Sequence, residues 1–434
     1  MIPLTALAAV AMLAFSPMAQ PVEASENDRS ETYKQLKLFG DVFERVRADY
    51  VEEVSDEELI EAAIEGMLTS LDPHSSYLSA DHFADMRTQT RGEFGGLGIE
   101  VTMEDGLVKV VSPIDDTPAE RAGIQAGDLI IGLDDEPVMG MSLSDAVEQM
   151  RGEVDSDITL TIQRGNDEPF EVTVTRETIT IRAVRSEVFD NVGYIRISTF
   201  NEQTGPNLAD EVRKVREELG DDAEGYVLDL RNNPGGLLEQ AIGVTDAFLD
   251  QGEIVSTRSR DENAGQRFNA KAGELLDGAP LVVLINSGSA SASEIVAGAL
   301  QDHQRAIVMG TSTFGKGSVQ TVVPLPGQGA MRLTTARYYT PSGRSIQAQG
   351  IEPDINVLQA NIEIPEEVNR RRESDLRGAL LNDNDVPEQE VEKGLEEELE
   401  EEDPKAARLR DDYQLARAVD LIRGLKFFEA RLAN

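Results

Sequence analysis

The chain has 434 residues and a net charge of −41 at pH 7, from 40 Lys and Arg against 81 Asp and Glu. That balance excludes a general nucleic-acid binder, which needs a basic face for phosphates. With no Cys and only His74, His82 and His303, disulfides, thiolate zinc sites, cysteine nucleophiles and a His-rich metal site are excluded too.

Residues 1–22 carry no charged side chain, and the apolar run at 4–15 falls short of the about 20 residues of a spanning helix. Val22-Glu23-Ala24 fits a small-x-small cleavage site. Residues 1–24 therefore read as an export signal, with an uncleaved anchor as the alternative. Either way the mature chain is expected in the periplasm or cell envelope, attached to the membrane through its N-terminus if the segment stays. Residues 25–91 read as a helical region. Phe39, Val42, Phe43, Val46 and Tyr50 recur at helical spacing, as do Leu59, Ile60, Ala63, Ile64, Met67 and Leu68. Ser55 stands three before Glu58 as in a capping box. Such stripes pack a core or a second copy, so a homo-oligomer is expected. His74, beside Asp72-Pro73, reads as a structural turn residue.

From 92 to 178 short strand-like runs (107–111, 128–133, 158–162) alternate with Gly and Pro, and 144–150 reads as a helix. Phe94-Gly95-Gly96-Leu97-Gly98-Ile99 places three glycines before a strand, a pattern that exposes successive N–H groups able to hold a carboxylate. With Ala122-Gly123-Ile124-Gln125-Ala126-Gly127-Asp128-Leu129-Ile130, this stretch resembles a PDZ domain. The resemblance implies that Leu97, Gly98 and Ile99 bind the terminal carboxylate of a peptide added as an edge strand. The plain alternative is a glycine-shaped β-turn.

From 179 to 360, strands at 193–197, 226–230 and 281–285 alternate with helices near 208–219, 237–249 and 291–301, which predicts an α/β core. Residues 361–434 hold an acidic stretch, 383–403, with twelve acids against Lys393 alone, and then an amphipathic helix from Tyr413.

Two strand-to-helix turns could carry chemistry. Asn232-Asn233-Pro234-Gly235-Gly236 offers unpaired N–H groups at a helix start, half of an oxyanion hole. Asn286-Ser287-Gly288-Ser289-Ala290-Ser291-Ala292-Ser293-Glu294 offers four serines, where a helix dipole favours a developing oxyanion. Ser291 and Glu294 also fit a capping box, and the residues alone do not choose among the serines. His303 sits at the far end of the following helix, about 18 Å away at 1.5 Å per residue. Lysine is the alternative base, and Lys316 lies between Gly315 and Gly317, where a partly buried amine can be deprotonated. A phosphate loop is excluded because the residue after the lysine is neither Ser nor Thr.

The motifs around 228–236, 289–295 and 313–320, together with Arg337-Tyr338-Tyr339-Thr340-Pro341-Ser342-Gly343-Arg344-Ser345-Ile346-Gln347, resemble the C-terminal processing peptidases (tail-specific proteases) over nearly the whole chain after the export signal. The resemblance implies a multidomain α/β protein: a crotonase/Clp-protease-like ββα core at 179–360, an inserted PDZ domain, and helical terminal segments. It implies Ser291 as nucleophile, Lys316 as base and Gln320 as the residue orienting the lysine. Ala292, Gly235 and Gly236 would supply the oxyanion hole. The implied activity is endoproteolysis near the C-terminus of exported proteins held by apolar tails, with no metal or organic cofactor, no nucleic acid partner, and room for an adaptor or regulator protein. The rival readings are a catalytically inactive PDZ adaptor presenting tails to another protease, and a crotonase-like acyl-transfer enzyme.

Overall fold

The computed structural model describes residues 26–432, apart from Asp115, Asp135, Asn166, Ile181 and residues 361–403. The export-signal reading of 1–24 and the acidic stretch 383–403 thus lie outside the described residues. The chain divides into two compact units, residues 1–73 and 74–434.

In the first unit, helices run over Glu26–Asp49 and Asp56–Thr69. Ser55 caps the second: its hydroxyl accepts from Glu58 N–H while the Glu58 carboxylate takes Ser55 N–H, as the spacing predicts. Phe39, Val42, Val46 and Tyr50 form an exposed apolar stripe on the first helix. The helical reading of 25–91 is interrupted at Asp72-Pro73. Proline disfavours helix for the residue before it, and the chain next forms a short strand, Ser76–Leu78, before the helix Ala80–Arg91.

The second unit is built on a six-stranded sheet. Its order is Val184–Phe189, Val192–Ile197, Gly225–Asp229, Leu281–Ile285, Ile307–Gly310, Ile355–Asn356, parallel except for the first pair. The apolar run at 281–285 has no polar alternation because both faces are covered. Leu281, Val283 and Ile285 face the cluster made with helices Thr204–Leu219, Leu238–Asp246 and Ala292–Asp302. Val282 and Leu284 face Leu415, Ala418, Val419 and Ile422 of the helix Tyr413–Leu432. Each such aliphatic side chain, fully buried, contributes about 1.5–3 kcal/mol. A second sheet contains Ser76–Leu78, Ala330–Tyr339, Glu253–Ser259 and Arg267–Asn269, with Ser318–Pro324 paired to Ala330–Tyr339.

A third sheet carries the strands Ile99–Glu104, Leu107–Pro113, Leu129–Leu133, Asp157–Gln163 and Phe170–Thr175 around its own core, with Val108, Ile130, Leu160 and Ile162 fully buried. The chain enters and leaves this module through an antiparallel pair, Glu93–Gly96 with Glu177–Thr180. These sheets and helices make the protein a multidomain α/β fold.

Candidate active site

The first strand-to-helix turn starts from a buried carboxylate. Asp229, at the end of its strand and 0% exposed, accepts from Tyr194 Oη, Arg196 and Arg231, and from Arg231 N–H. Arg231 reaches on to both oxygens of Asp412, at 2.8 and 2.6 Å, and to Gln414. Burial would lower the Arg231 pKa, but the bonds to Asp412 and Asp229 outweigh it and raise it above its ordinary value. Past this anchor Asn232 takes a left-handed conformation, φ 56°, which asparagine tolerates.

The second turn, residues 286–293, is laced to the first. Asn232 N–H donates to Asn286 Oδ1, and Asn286 Nδ2 donates to Asn232 Oδ1. Ala290 N–H and Ser293 Oγ both donate to the Asn233 carbonyl. A Cβ on Gly235 (φ 104°) would lie 2.8 Å from the Ala290 carbonyl oxygen and 2.9 Å from Ser291 Cβ. Only glycine permits that approach, so Gly235 sits directly against Ser291 and Ala292.

The four serines now separate. Ser287 is exposed. Ser289 and Ser293 are buried and donate their hydroxyls to the carbonyls of Leu230 and Asn233. Ser291 stands at the N-terminus of helix Ala292–Asp302 with φ 55° and ψ −109°, a conformation that costs about 1–3 kcal/mol for a non-glycine residue. Strain held at one serine among four singles it out.

The amides divide as well. Gly235 N–H donates to Asn233 Oδ1 at 2.9 Å. The amides of Gly236 and Ala292 have no hydrogen-bond acceptor among the described residues. His303, at the far end of the helix, binds the Glu253 carbonyl through Nε2 at 2.7 Å.

The lysine loop joins the serine turn through a residue whose part the sequence pattern did not reveal beyond capping. Glu294, 0% exposed, reaches back to Ser291 N–H at 2.7 Å. The same carboxylate accepts from Thr313 Oγ1, from Gly315 N–H at 2.7 Å and from Lys316 N–H at 2.8 Å. Thr313 and Gly315, beside Lys316, were the signal that could have pointed to it: a small hydroxyl and a φ of 89° bring two successive amides onto one acceptor. Lys316 itself is half-buried. Gln320, on the strand Ser318–Pro324, donates through Nε2 to Ser318 Oγ at 2.8 Å. A cleft of about 660 Å³ opens beside the first turn, lined by Phe83, Met86, Gly236, Leu237, Val322 and Pro324 among others.

In the third-sheet module the carbonyls of Leu97 and Gly98 turn inward, accepting from Ala119 and Ile114 N–H. Gly98 has φ 80° and abuts Thr117, whose hydroxyl donates to the Gly98 carbonyl. The strand Ile99–Glu104 lies at the sheet edge. Its Ile99, Val101 and Met103, with Leu143 and Val147 of the helix Leu143–Met150, are half-buried on one apolar core.

Residues 191–357 match the model of peptidase family S41, 109–164 that of the PDZ domain, and 8–82 that of the activating protease CtpB N-terminal domain. A carboxy-terminal-processing protease of Bartonella bacilliformis is 53% identical over 414 residues, covering 94% of this chain and 92% of its own. The chain belongs to the carboxy-terminal-processing proteases of family S41. The carboxy-terminal processing protease CtpA of Bacillus subtilis is 36% identical over 72% of this chain and 67% of its own. Among solved structures, a photosystem II D1 C-terminal processing protease matches at 31% identity and a TM-score of 0.44, covering 76% of this chain and 87% of its own. Membership makes the chain a serine peptidase with a PDZ domain, and the adaptor and acyl-transfer readings give way to it.

Proposed function

We propose that the protease cleaves exported proteins near their C-termini with Ser291 as nucleophile and Lys316 as general base. The observation that carries this reading is Glu294, which ties the backbone of the one strained serine to the backbone of the lysine loop. Neutral Lys316 takes the Ser291 hydroxyl proton as Oγ attacks the peptide carbonyl. The developing oxyanion is met by the amides of Gly236 and Ala292, with Gly235 setting their approach. Protonated Lys316 returns the proton to the leaving amine, and water then hydrolyses the acyl-enzyme by the reverse path. Gln320 orients the lysine from the neighbouring strand. Substrate enters along the cleft beside Gly236, while Leu97, Gly98 and Ile99 hold the carboxylate of an apolar tail laid along the Ile99–Glu104 edge.

In this reading the PDZ domain spans 92–178 and the protease core 179–360, and no cofactor takes part. The short apolar run at 4–15 and the small-x-small site at 22–24 support export to the periplasm or cell envelope, and the exposed stripe at Phe39, Val42 and Val46 supports self-association. Among the described residues no helix is long and apolar enough to cross a membrane.

The decisive experiment labels the serine with a fluorophosphonate across pH. Labelling should map to Ser291, rise as Lys316 deprotonates, and disappear in Ser291→Ala. Lys316→Ala should label at least about 100-fold more slowly. Undiminished labelling of Lys316→Ala, or label on another serine, would remove the proposed pair.

A further inference from the structure

Strands Glu253–Ser259 and Ala330–Tyr339 pair antiparallel with Arg258 directly opposite Arg337. Like charges placed opposite on a ladder are destabilising, so this pair is unexplained by the fold. Both arginines are exposed, as is Arg260. The three line one concavity of about 340 Å³ with Thr335 and Tyr339, and Arg258 lies 3.9 Å from the Tyr339 ring centroid. In a chain with 81 acids, none of the three arginines forms an ion pair among the described residues. The nearest acid in sequence, Asp261, accepts from Asn263 N–H through Oδ1. A small positive basin therefore survives on a strongly negative molecule.

Its position gives the basin a use. Arg337 is the register partner of Ser318, two residues after Lys316 on the strand that carries Gln320. At about 3.3 Å per residue, the basin lies within a few residues' reach of the proposed catalytic loop. We infer that Arg258, Arg260 and Arg337 form a specificity site for acidic side chains of the protein substrate, about two to six residues from the scissile bond. The inference rests on the active site proposed above. A polypeptide is the fitting occupant because the ladder continues into the strand beside the site, while the net charge of −41 repels nucleic acid.

The test uses the full chain and matched peptides of one cleavable sequence, carrying three Glu or three Gln on either the N-terminal or the C-terminal side of the scissile bond. Wild-type protein should prefer Glu over Gln on one side by about tenfold in kcat/KM at low salt, mainly through KM, and lose the preference as salt rises. Arg258→Gln/Arg337→Gln should bring the ratio to within about twofold while cleaving the Gln peptides as wild type does. A ratio near one in wild type, or one that survives in the double variant, overturns the inference. A preference that emerges only when the twelve acids of 383–403 are replaced by Gln also overturns it, by showing that the chain's own acidic stretch takes the basin. Cleavage of the Gln peptides by Ser291→Ala would instead count against the active-site assignment, so the two failures are read separately.

Discussion

Two carboxylates, Asp229 and Glu294, are both completely buried, yet their partners differ in kind. Asp229 is surrounded by two guanidinium groups and a phenol. Glu294 meets a threonine hydroxyl and three backbone amides, from Ser291, Gly315 and Lys316. The first arrangement balances charge and fastens the sheet end to the C-terminal helix. The second fixes where two backbone segments lie relative to one another, because amides can move only with the chain. A buried carboxylate can thus be a fastener or a jig, and its donors tell which.

The largest expected effect breaks the jig. Glu294→Ala removes the shared acceptor and leaves buried amides unpaired, at about 1–3 kcal/mol each. It should lower kcat by at least about 100-fold and lower the melting temperature as well. Glu294→Gln keeps shape and one acceptor oxygen but turns an NH2 toward donors, so it should fall between. The distinguishing readout is the rate of Ser291 labelling in the folded protein: a merely structural Glu294 would lower Tm and leave that rate alone. Wild-type labelling by Glu294→Gln would erase the contrast between the two acids.

The fastener should respond differently. Asp412→Ala strips Arg231 of one of its two carboxylates and leaves Asp229 in place. Stability should fall by about 2 kcal/mol in urea unfolding, with kcat changed by no more than a few-fold. A kcat loss equal to that of Glu294→Ala would mean that the Asn232–Gly236 turn is itself held by the C-terminal helix.

The fastener also has a pH signature. Burial would raise the Asp412 pKa, but its hydrogen bonds to Arg231 and the charge beside it outweigh burial and hold it below the ordinary carboxylate value. A depressed folded pKa contributes stability that is full above the unfolded value, about 3.9, and is lost as pH falls through the folded one. The stability gap between wild type and Asp412→Asn should be constant at neutral pH and shrink as pH drops below about 4. A gap unchanged into acid would show that Arg231 draws nothing from that charge.

Much of this was legible in the sequence. Apolar runs at 281–285 and around 226–230 and the glycine-rich turns after them located the sheet and the two turns of the candidate site, because covered strands and turn glycines leave strong local signals. The capping box at Ser55 and Glu58 was legible for the same reason. What stayed hidden was non-local. Nothing near Asp412 predicts a bond to Arg231, 181 positions away, and nothing near Glu294 predicts that it gathers amides from 315 and 316. That Ser289 and Ser293 donate their hydroxyls to carbonyls of the other turn was equally out of reach of the local sequence. The short strand Ser76–Leu78 exists by virtue of its partner at 330–332.

The smallest effect concerns two glycine turns that differ as the two acids do. Gly235 is locked against the serine turn, whereas Gly98 bears on Thr117 at the edge of a separate core. A Cβ at Gly98 would lie 2.3 Å from Thr117 Cβ at φ 80°, so Gly98→Ala must drive the Leu97–Ile99 turn and Thr117 apart by about an ångström. That should raise KM for peptides with a free carboxylate by about fivefold and leave kcat and the cleavage of amidated peptides unchanged. The amidated peptide is the informative arm, since it lacks the charge those amides would meet. Wild-type protein that cleaves free and amidated tails equally well would leave the Leu97–Ile99 turn with no anion to hold, and Gly98 would then serve only the packing of Thr117.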